Sequence, residues 1–281
     1  MENQTAFKSK DGKPCLRRSV TAFIDILGYS EHIRSCFRSG TGQAELQKLR
    51  AALDLAYNDL KQKDENTIFE KNLSLQVRTF TDNLVIGYTI PEPIEGDDRG
   101  WGESCIQTVV CYVAFLQAEL ARQGYLVRGA ITVGDLYIDE DIVFGQALLE
   151  AYDAESKLAN FPRIILCENA VREFKPTWAR KIHDLLIDSD NKVFIDYLDA
   201  TVMIAYPDDR PFTEFTDGHR ITIVDNLKKF KHNPHVRAKY EWAAVYHNSF
   251  CDKFPDVFND NDKIPLDLLT NVPREWVIDV P

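Results

Sequence analysis

The pattern of apolar and polar positions predicts a chain in which strands and helices alternate. Residues 19–27 (SVTAFIDIL) alternate in polarity and are rich in β-branched side chains, which predicts a mostly buried strand. Gly28 ends this strand, and Ser30 is placed to cap a helix that begins at Glu31. Residues 43–63 carry apolar side chains at helical spacing above a charged reverse side. The first quarter of the chain therefore predicts a strand, a tight turn and two helices.

The remaining pattern predicts a mixed sheet with a helical end. Residues 76–88 predict a hairpin with its turn at Thr81-Asp82-Asn83. Further elements are predicted in this order: a helix over 105–123, a strand over 125–133 that turns at Gly134-Asp135 into 136–138, a helix over 147–159, a strand over 162–167, a hairpin over 192–206, and helices near 214–232 and 235–250. This order favours an α+β fold with a ferredoxin-like β-α-β-β-α-β core. We expect a polar leader over 1–16, a main domain over 17–206 and a C-terminal helical extension over 207–281.

Composition and charge narrow the possible partners. The 281 residues are 44% apolar and 27% charged, which suits a soluble domain with a normal core. The net charge of −11 argues against nucleic acid or an anionic membrane as the main partner. No stretch approaches the roughly 18–20 consecutive apolar residues that span a bilayer, and the N-terminus lacks the apolar middle of a signal peptide. The six scattered cysteines form no CxxC pair, so we expect reduced thiols in a cytoplasmic protein and no structural zinc.

The first chemical motif is FIDILGYS, residues 23–30. Asp25 ends a buried strand, Gly28 makes a tight turn, and a helix follows. Backbone N–H groups at a helix N-terminus bind phosphate, and an adjacent aspartate can hold the metal ion that neutralises it. The same pattern also suits an ordinary strand-to-helix turn in which Asp25 makes a local hydrogen bond. Spacing alone leaves both interpretations open.

The second motif is RTFTDNLV, residues 78–85, with Asp82 at the predicted hairpin tip. An aspartate at such a tip is most often a turn residue. If this hairpin lies beside the first strand, however, Asp25 and Asp82 can share two Mg²⁺ or Mn²⁺ ions. Such a pair of ions suits phosphoryl-transfer chemistry, because one activates the attacking hydroxyl and the other holds the leaving phosphates.

Over about residues 17–205, these motifs and three later ones resemble the catalytic domain of class III adenylyl and guanylyl cyclases. The family signature FxDIxGFT and a later strand–turn–strand correspond here to FIDILGYS and FTDNLVIGY. The segments VRGAITVG, FG and YDAESKL follow in the family's order, from Val127 to Leu158. The resemblance implies an enzyme that closes a nucleoside triphosphate into a 3′,5′-cyclic monophosphate. It also implies a homodimer whose active sites lie between two catalytic domains.

The resemblance assigns two groups of residues to the triphosphate and its metals. The metal ligands are Asp25, Asp82 and the backbone carbonyl of Ile26, which would hold two Mg²⁺ or Mn²⁺ ions. The triphosphate contacts are the backbone donors of Gly28, Tyr29 and Ser30 and the guanidinium of Arg128, since a guanidinium matches phosphate geometry.

The sequence departs from the family at the transition-state pair. The family's asparagine and arginine, four residues apart on one helix, correspond here to Asp153 and Lys157. An aspartate is a poor choice beside developing phosphate charge. The two residues also suit an i,i+4 ion pair on a helix surface, which would stabilise the helix by roughly a few tenths of a kcal/mol. Both interpretations stay open.

The base-reading residues of adenylyl cyclases are replaced as well. Their lysine corresponds to Gln76, and their aspartate to Ile142 with Asp141 beside it. The sequence is therefore more similar to the bacterial Pycsar-type pyrimidine cyclases of antiphage defence. That similarity implies UTP as substrate, with CTP as the alternative, and a cyclic product read by a separate effector. Two other hypotheses are a degenerate cyclase domain that senses nucleotide, and a diguanylate cyclase, which the lack of a GG(D/E)EF motif disfavours.

Overall fold

The structure is a computed structural model that describes residues 7–9, 11–66, 75–80, 82–92, 101–173, 185–200, 202 and 213–270. At its centre, β1 (Arg17–Ile26) lies antiparallel between β3 (Asn83–Thr89) and β4 (Val127–Ile138). β2 (Leu75–Phe80) pairs antiparallel with β3. The order β2-β3-β1-β4 is that of a ferredoxin-like sheet. The predicted α+β class with a ferredoxin-like core is confirmed.

Four short strands extend this sheet. β5 (Val143–Phe144) pairs with the end of β4, and β6 (Ile164–Leu166) runs parallel to β4. β7 (Leu185–Ile187) and β8 (Val193–Ile195) form a hairpin whose second strand pairs with β6. The sheet order is therefore β2-β3-β1-β4-β6-β8-β7, with β5 beside β4.

The helices lie on both faces of the sheet. Besides a helical segment at 197–200 and a 3₁₀ turn at Leu266–Leu268, the helices in the described part of the chain are α1 (Tyr29–Arg38), α2 (Gly42–Asn66), α3 (Trp101–Arg122), α4 (Gln146–Leu158), α5 (Glu168–Glu173), α6 (Thr213–Lys229) and α7 (Pro234–Lys253). Side chains of β1 alternate between two cores, as its period of two requires. Ile24 packs into the larger core with α3, and Phe23 packs into a smaller core with Ala151 of α4.

Helix α3 is the longest apolar segment among the described residues. By length and composition its 22 residues could cross a membrane, but 72% of its most apolar window is buried inside the fold. This burial is that of a helix in the core of the fold. It also begins at Trp101, four residues before the predicted start at Cys105.

The C-terminal helices α6 and α7 pack into the larger core. Phe215 and Ile223 of α6 and Trp242 of α7 are buried there with Ile24 of β1. The indole N–H of Trp242 donates a hydrogen bond of 2.7 Å to Asp188, which also pairs with the fully buried Arg163. The two predicted helices are confirmed, and they share the core of the main domain. The boundary predicted at 206/207 lies outside the described residues.

Three local predictions are wrong. Ser30 does not cap α1, because the helix already begins at Tyr29 after Gly28, whose φ of 73° lies in the left-handed region. Gly134-Asp135 is not a turn, because β4 runs through it. A Cβ at Gly134 would lie 3.3 Å from the Cβ of Ala147, so this glycine permits close packing of α4. The last hairpin spans 185–195, and its turn holds Asn191 at a φ of 60°.

The predicted leader over 1–16 is more than a polar tail. Phe7 is fully buried in the smaller core, and Lys8 forms an isolated antiparallel bridge with Pro14. This segment therefore covers part of the sheet face that also carries Phe23.

Candidate active site

The ends of β1 and of the β2–β3 hairpin bring the two predicted metal aspartates together. Asp25 is paired in register with Asn83, the neighbour of Asp82. The N–H of Ile26 donates a hydrogen bond of 3.1 Å to the carbonyl of Asp82. Both carboxylates therefore lie at the same end of adjacent strands, beside the Ile26 carbonyl. Oxygen donors of this kind are what Mg²⁺ and Mn²⁺ prefer, so the residues fit the expected ions.

Asp25 lies in a charged and partly buried environment. Burial raises the pKa of its carboxyl, and the charge of Asp82 raises it further. Arg128 opposes both effects through its charge and through a hydrogen bond of 3.2 Å from Nε to Oδ2. Arg128 is held there because β4 pairs with β1 so that Arg128 lies opposite Asp25. Within this chain, the guanidinium is thus a cation in direct contact with Asp25.

Arg128 also contacts Glu155, a residue that the sequence analysis missed. A terminal nitrogen of Arg128 lies 2.7 Å from Oε1 of Glu155, whose side chain is only 3% exposed. This is a close ion pair without the alignment of a hydrogen bond, since Oε1 has no hydrogen-bond partner. Burial raises the pKa of Glu155, and Arg128 partly offsets that rise. The available sequence signal was an acid on the alanine-lined inner face of a helix.

The Gly28 turn places backbone donors beside the aspartates. The left-handed Gly28 lets the chain leave β1 and enter α1 within two residues. The N–H of His32 donates to the Gly28 carbonyl at 3.1 Å, which is the first helical hydrogen bond. Helix geometry leaves the preceding amides, including those of Tyr29 and Ser30, without acceptors inside the helix. These are the donors that the sequence analysis assigned to phosphate.

A cavity of about 310 Å³ opens beside this turn. Gly28 and Tyr29 line one side, and Lys48 of α2 lines another. The C-terminal extension also lines the cavity, with Lys229 and Lys239 among its contributions. The extension therefore faces the predicted phosphate site.

Lys239 of α7 is the second residue that the sequence analysis missed. Burial lowers the pKa of its ammonium, and the charge of Arg128 lowers it further, while Asp25 and Glu155 act in the opposite direction. Lys239 is therefore electrostatically part of the Asp25 cluster. Its sequence signal was a lysine at helical spacing between Val236 and Ala243 on the apolar face of α7.

Asp153 and Lys157 lie elsewhere on the chain. They form an i,i+4 ion pair of 2.8 Å on the solvent-facing side of α4, and both side chains are exposed. The opposite side of the same helix directs Glu155 toward Arg128. Within one chain, the predicted transition-state pair is therefore turned away from the aspartates.

The two base-reading positions are also separated within the chain. Gln76 of β2 lies opposite Gly87, which lies opposite Thr21 of β1. Directly paired residues share a sheet face, so Gln76 is on the face that carries Asp25. Ile142 is exposed in the β4–β5 turn, where its N–H donates to Asp139 at 2.9 Å.

A cluster of His32, Cys36 and Glu45 lies at the edge of the cavity. One potential ligand atom from each falls within 4.8 Å of the others. His32 Nε2 lies 2.7 Å from Glu45, and the Tyr125 hydroxyl donates to the same oxygen at 2.5 Å. Burial acts to raise the pKa of Glu45, but these hydrogen bonds outweigh it and the net pKa is lowered. Hydrogen bonding thus accounts for this cluster without an ion. The i,i+4 spacing of His32 and Cys36 is visible in the sequence, but the third member, Glu45, comes from a different helix.

Comparisons with known proteins identify no family for this chain. No family model and no curated protein matches it. Among solved structures, it is similar to a class III adenylyl cyclase-like ATP-binding protein from Pseudomonas aeruginosa, at 12% identity and a TM-score of 0.42. The match covers 68% of this chain and 41% of that one, so the chain spans about two-fifths of its length. The fold class therefore rests on the strand order of this chain, which is that of an α+β domain with a ferredoxin-like core. Asp25 and Asp82 lie together at the ends of its central strands.

Proposed function

We propose that this protein is a nucleotide cyclase that converts UTP into 3′,5′-cyclic UMP and pyrophosphate. One observation carries the proposal: Asp25 and Asp82 lie together at the end of adjacent strands, directly beside the Gly28 turn. Phosphate-binding amides and metal-binding carboxylates are the two parts that this reaction requires. In the reaction, the ribose 3′-oxygen attacks the α-phosphorus, pyrophosphate leaves, and the hydroxyl proton passes to water.

The residues divide this work between holding charge and positioning the nucleotide. Asp25, Asp82 and the Ile26 carbonyl would hold two Mg²⁺ or Mn²⁺ ions, which when bound supply charge neutralisation and activation of the 3′-hydroxyl. The amides of Gly28, Tyr29 and Ser30 bind phosphate oxygens and align the α-phosphate. The guanidinium of Arg128 lies between the carboxylates of Asp25 and Glu155 and would contact the triphosphate from that position. Catalysis is then mainly positioning and electrostatic stabilisation.

A second copy of the chain would complete the site. Asp153 and Lys157 point to solvent on α4, and the same exposed side carries Leu149 and Tyr152, which are 66% and 50% exposed. Phe144 of β5 is similarly exposed nearby in sequence. Exposed apolar side chains around polar residues suit a self-complementary C₂ interface. In the proposed homodimer, Lys157 of one chain serves the aspartates of the other.

The preference for a pyrimidine rests on Gln76 and Ile142. Neither residue can replace the lysine and aspartate that read adenine in the cyclases this chain resembles. An amide both donates and accepts, so it can match the edge of uracil or of cytosine. CTP is therefore the alternative substrate. We further propose a cytoplasmic enzyme whose cyclic product is read by a separate effector in antiphage defence.

A nucleotide sensor without turnover is the second candidate. It is favoured by the Asp153–Lys157 ion pair, which occupies both side chains with each other. One experiment separates the two: purified protein is incubated with each NTP and Mn²⁺, and the products are identified by mass. Cyclic UMP that disappears in Asp25→Asn supports the enzyme. Tight UTP binding without any cyclic product contradicts it and supports the sensor.

A further inference from the structure

The cavity beside the Gly28 turn has a charge opposite to that of the protein. The chain carries a net charge of −11, yet three lysines from three separate helices line this one cavity: Lys48, Lys229 and Lys239. The acid on the lining is Glu31, which is already hydrogen bonded to Arg38 at 2.6 Å. Such a concentration of cations in an acidic protein favours an anionic ligand.

Lys239 differs from the other two lysines in its burial. Lys48 and Lys229 are exposed, whereas Lys239 is partly buried between the apolar residues of α7. In the described part of the chain, no carboxylate oxygen lies within 4 Å of its ammonium. Withdrawing a cation from water is costly unless a partner replaces that hydration. A phosphate oxygen in the cavity would provide the partner.

The wall that carries Lys239 is rigidly held. Asn233 caps α7 through a hydrogen bond of 3.2 Å from the Val236 N–H, and Pro234 occupies the first turn. Farther along, Trp242 is fixed by its hydrogen bond to buried Asp188. Because this helix is already anchored in the free protein, binding a ligand at Lys239 needs no ordering of the helix itself, which improves affinity.

From this geometry we infer that Lys239 of the C-terminal extension binds the terminal phosphates of the nucleotide, assisted by Lys48 and Lys229. The ligand class is a polyphosphate anion, and Ile26 and Gly28 of the predicted metal and phosphate site line the same cavity. This inference rests on the proposed function for its substrate. It makes residues 213–253 a part of the nucleotide site and not an appendage to it.

The test uses inorganic tripolyphosphate as a probe that cannot be cyclised. Its affinity for the full chain is measured by calorimetry for the wild type, Lys239→Met and Lys239→Arg. Lys228→Met is the matched control, because Lys228 neighbours Lys229 but does not line the cavity. We expect Lys239→Met to weaken binding about tenfold, equivalent to about 1.4 kcal/mol. Lys239→Arg should keep most of the affinity, and Lys228→Met all of it.

Turnover provides an independent readout. In Lys239→Met, the KM for UTP should rise about tenfold while kcat changes little, the pattern of lost uniform binding.

Should this variant fail to fold, Lys48→Met on the exposed side of α2 probes the same cavity and should weaken tripolyphosphate binding several-fold. Unchanged affinity in a folded Lys239→Met overturns the inference. Lysine-dependent tripolyphosphate binding without any cyclic product leaves the inference standing and refutes the cyclase. Cyclase activity with an unchanged KM in Lys239→Met supports the cyclase and refutes the role of Lys239.

Discussion

The guanidinium of Arg128 on β4 lies 2.7 Å from the carboxylate of Glu155 on α4. Glu155 is almost fully buried, so this contact fixes the direction of the arginine side chain. The same guanidinium bonds to Asp25, and it therefore balances two carboxylates at once. Any cation that binds Asp25 must share that carboxylate with Arg128.

Glu155→Gln should therefore weaken the response to divalent cations. The variant keeps the shape of the side chain but leaves the whole charge of Arg128 to Asp25. We expect the Mn²⁺ concentration for half-maximal activity to rise by about three- to tenfold, or about 1 kcal/mol. A Mn²⁺ titration of initial rates measures this. Glu150→Gln on the same helix is the control, and an identical Mn²⁺ requirement in Glu155→Gln would refute the coupling.

Asp25→Asn and Asp82→Asn should each reduce turnover by at least about a hundredfold, because each removes a metal ligand. Asp25→Asn should not destabilise the fold at pH 7. Burial raises the pKa of Asp25, so its charged form is disfavoured in the folded state, and a neutral amide removes that cost. Mn²⁺ should raise the Tm of the wild type and not that of Asp25→Asn. Asp225→Asn, on the exposed side of α6, serves as the control.

Subunit mixing tests the composite site. Asp25→Ala and Lys157→Ala proteins should each be nearly inactive alone. After random exchange, half of the dimers are hetero-pairs with one intact site of two, so the mixture should recover about a quarter of wild-type activity. Mixing two Asp25→Ala preparations that carry different tags is the control for exchange. No recovery despite proven exchange places both residues on the same side of the site.

UTP should be cyclised at least about tenfold more efficiently than ATP or GTP, equivalent to about 1.4 kcal/mol in the transition state. Gln76→Ala should narrow this ratio by lowering kcat/KM for UTP more than for ATP. CTP is expected to be the nearest competitor. Competition assays with mixed NTPs measure the ratios directly. A clear preference for a purine would refute the pyrimidine hypothesis and leave the cyclase hypothesis intact.

Stability should fall as the pH falls below 6.5, because of two buried histidines. His219 and His247 belong to a chain of hydrogen bonds in which each neutral ring accepts at one nitrogen and donates from the other. The Tyr197 hydroxyl donates to His219 Nε2, and Nδ1 of His219 donates to Nδ1 of His247 at 3.2 Å. His247 Nε2 then donates to the carbonyl of Asp262. With neutral rings, every contact in this chain pairs a donor with an acceptor, whereas a proton on Nδ1 of His247 would set it against the Nδ1–H of His219.

Burial lowers the pKa of His219 well below its usual value and that of His247 to about 4. The unfolded chain takes up these protons near pH 6.5, so between pH 6.5 and 4 it binds more protons than the folded chain. Each histidine then costs up to about 1.4 kcal/mol per pH unit in that window. Urea unfolding at pH 7.5 and 5.5 measures the loss. His247→Gln should flatten it relative to His235→Gln, whose parent histidine is exposed.

The fold was largely predictable because most of its signals are local. The alternation in β1 and the hairpin turn at Asp82 needed only side-chain periodicity and turn chemistry. The wrong predictions of local structure came where one residue type suits two structural roles. Gly134 was interpreted as a turn residue, but its lack of a side chain serves α4, and that contact is visible only in three dimensions.

Only the metal-binding part of the candidate site was predictable from the sequence. Asp25 and Asp82 stand in motifs that place them near each other. Glu155 lies in the YDAESKL segment without an assigned role there, and Lys239 stands in no motif. Each becomes significant because helix packing brings it toward Arg128. A charged residue on the apolar face of a helix is the sequence signal that both share.

The packing of α7 against the sheet also sets an order of events in the cell. Ribosomes release β1, the hairpin and Arg128 early, but Lys239 and Trp242 are made more than a hundred residues later. The nucleotide cavity lacks the wall that carries Lys239 until that helix has docked. A nascent chain can thus assemble its sheet while synthesis continues, since domains generally fold as the chain emerges. The proposed cyclase would then make cyclic nucleotide only after that late helix docks. Incomplete products of interrupted translation would therefore be inactive.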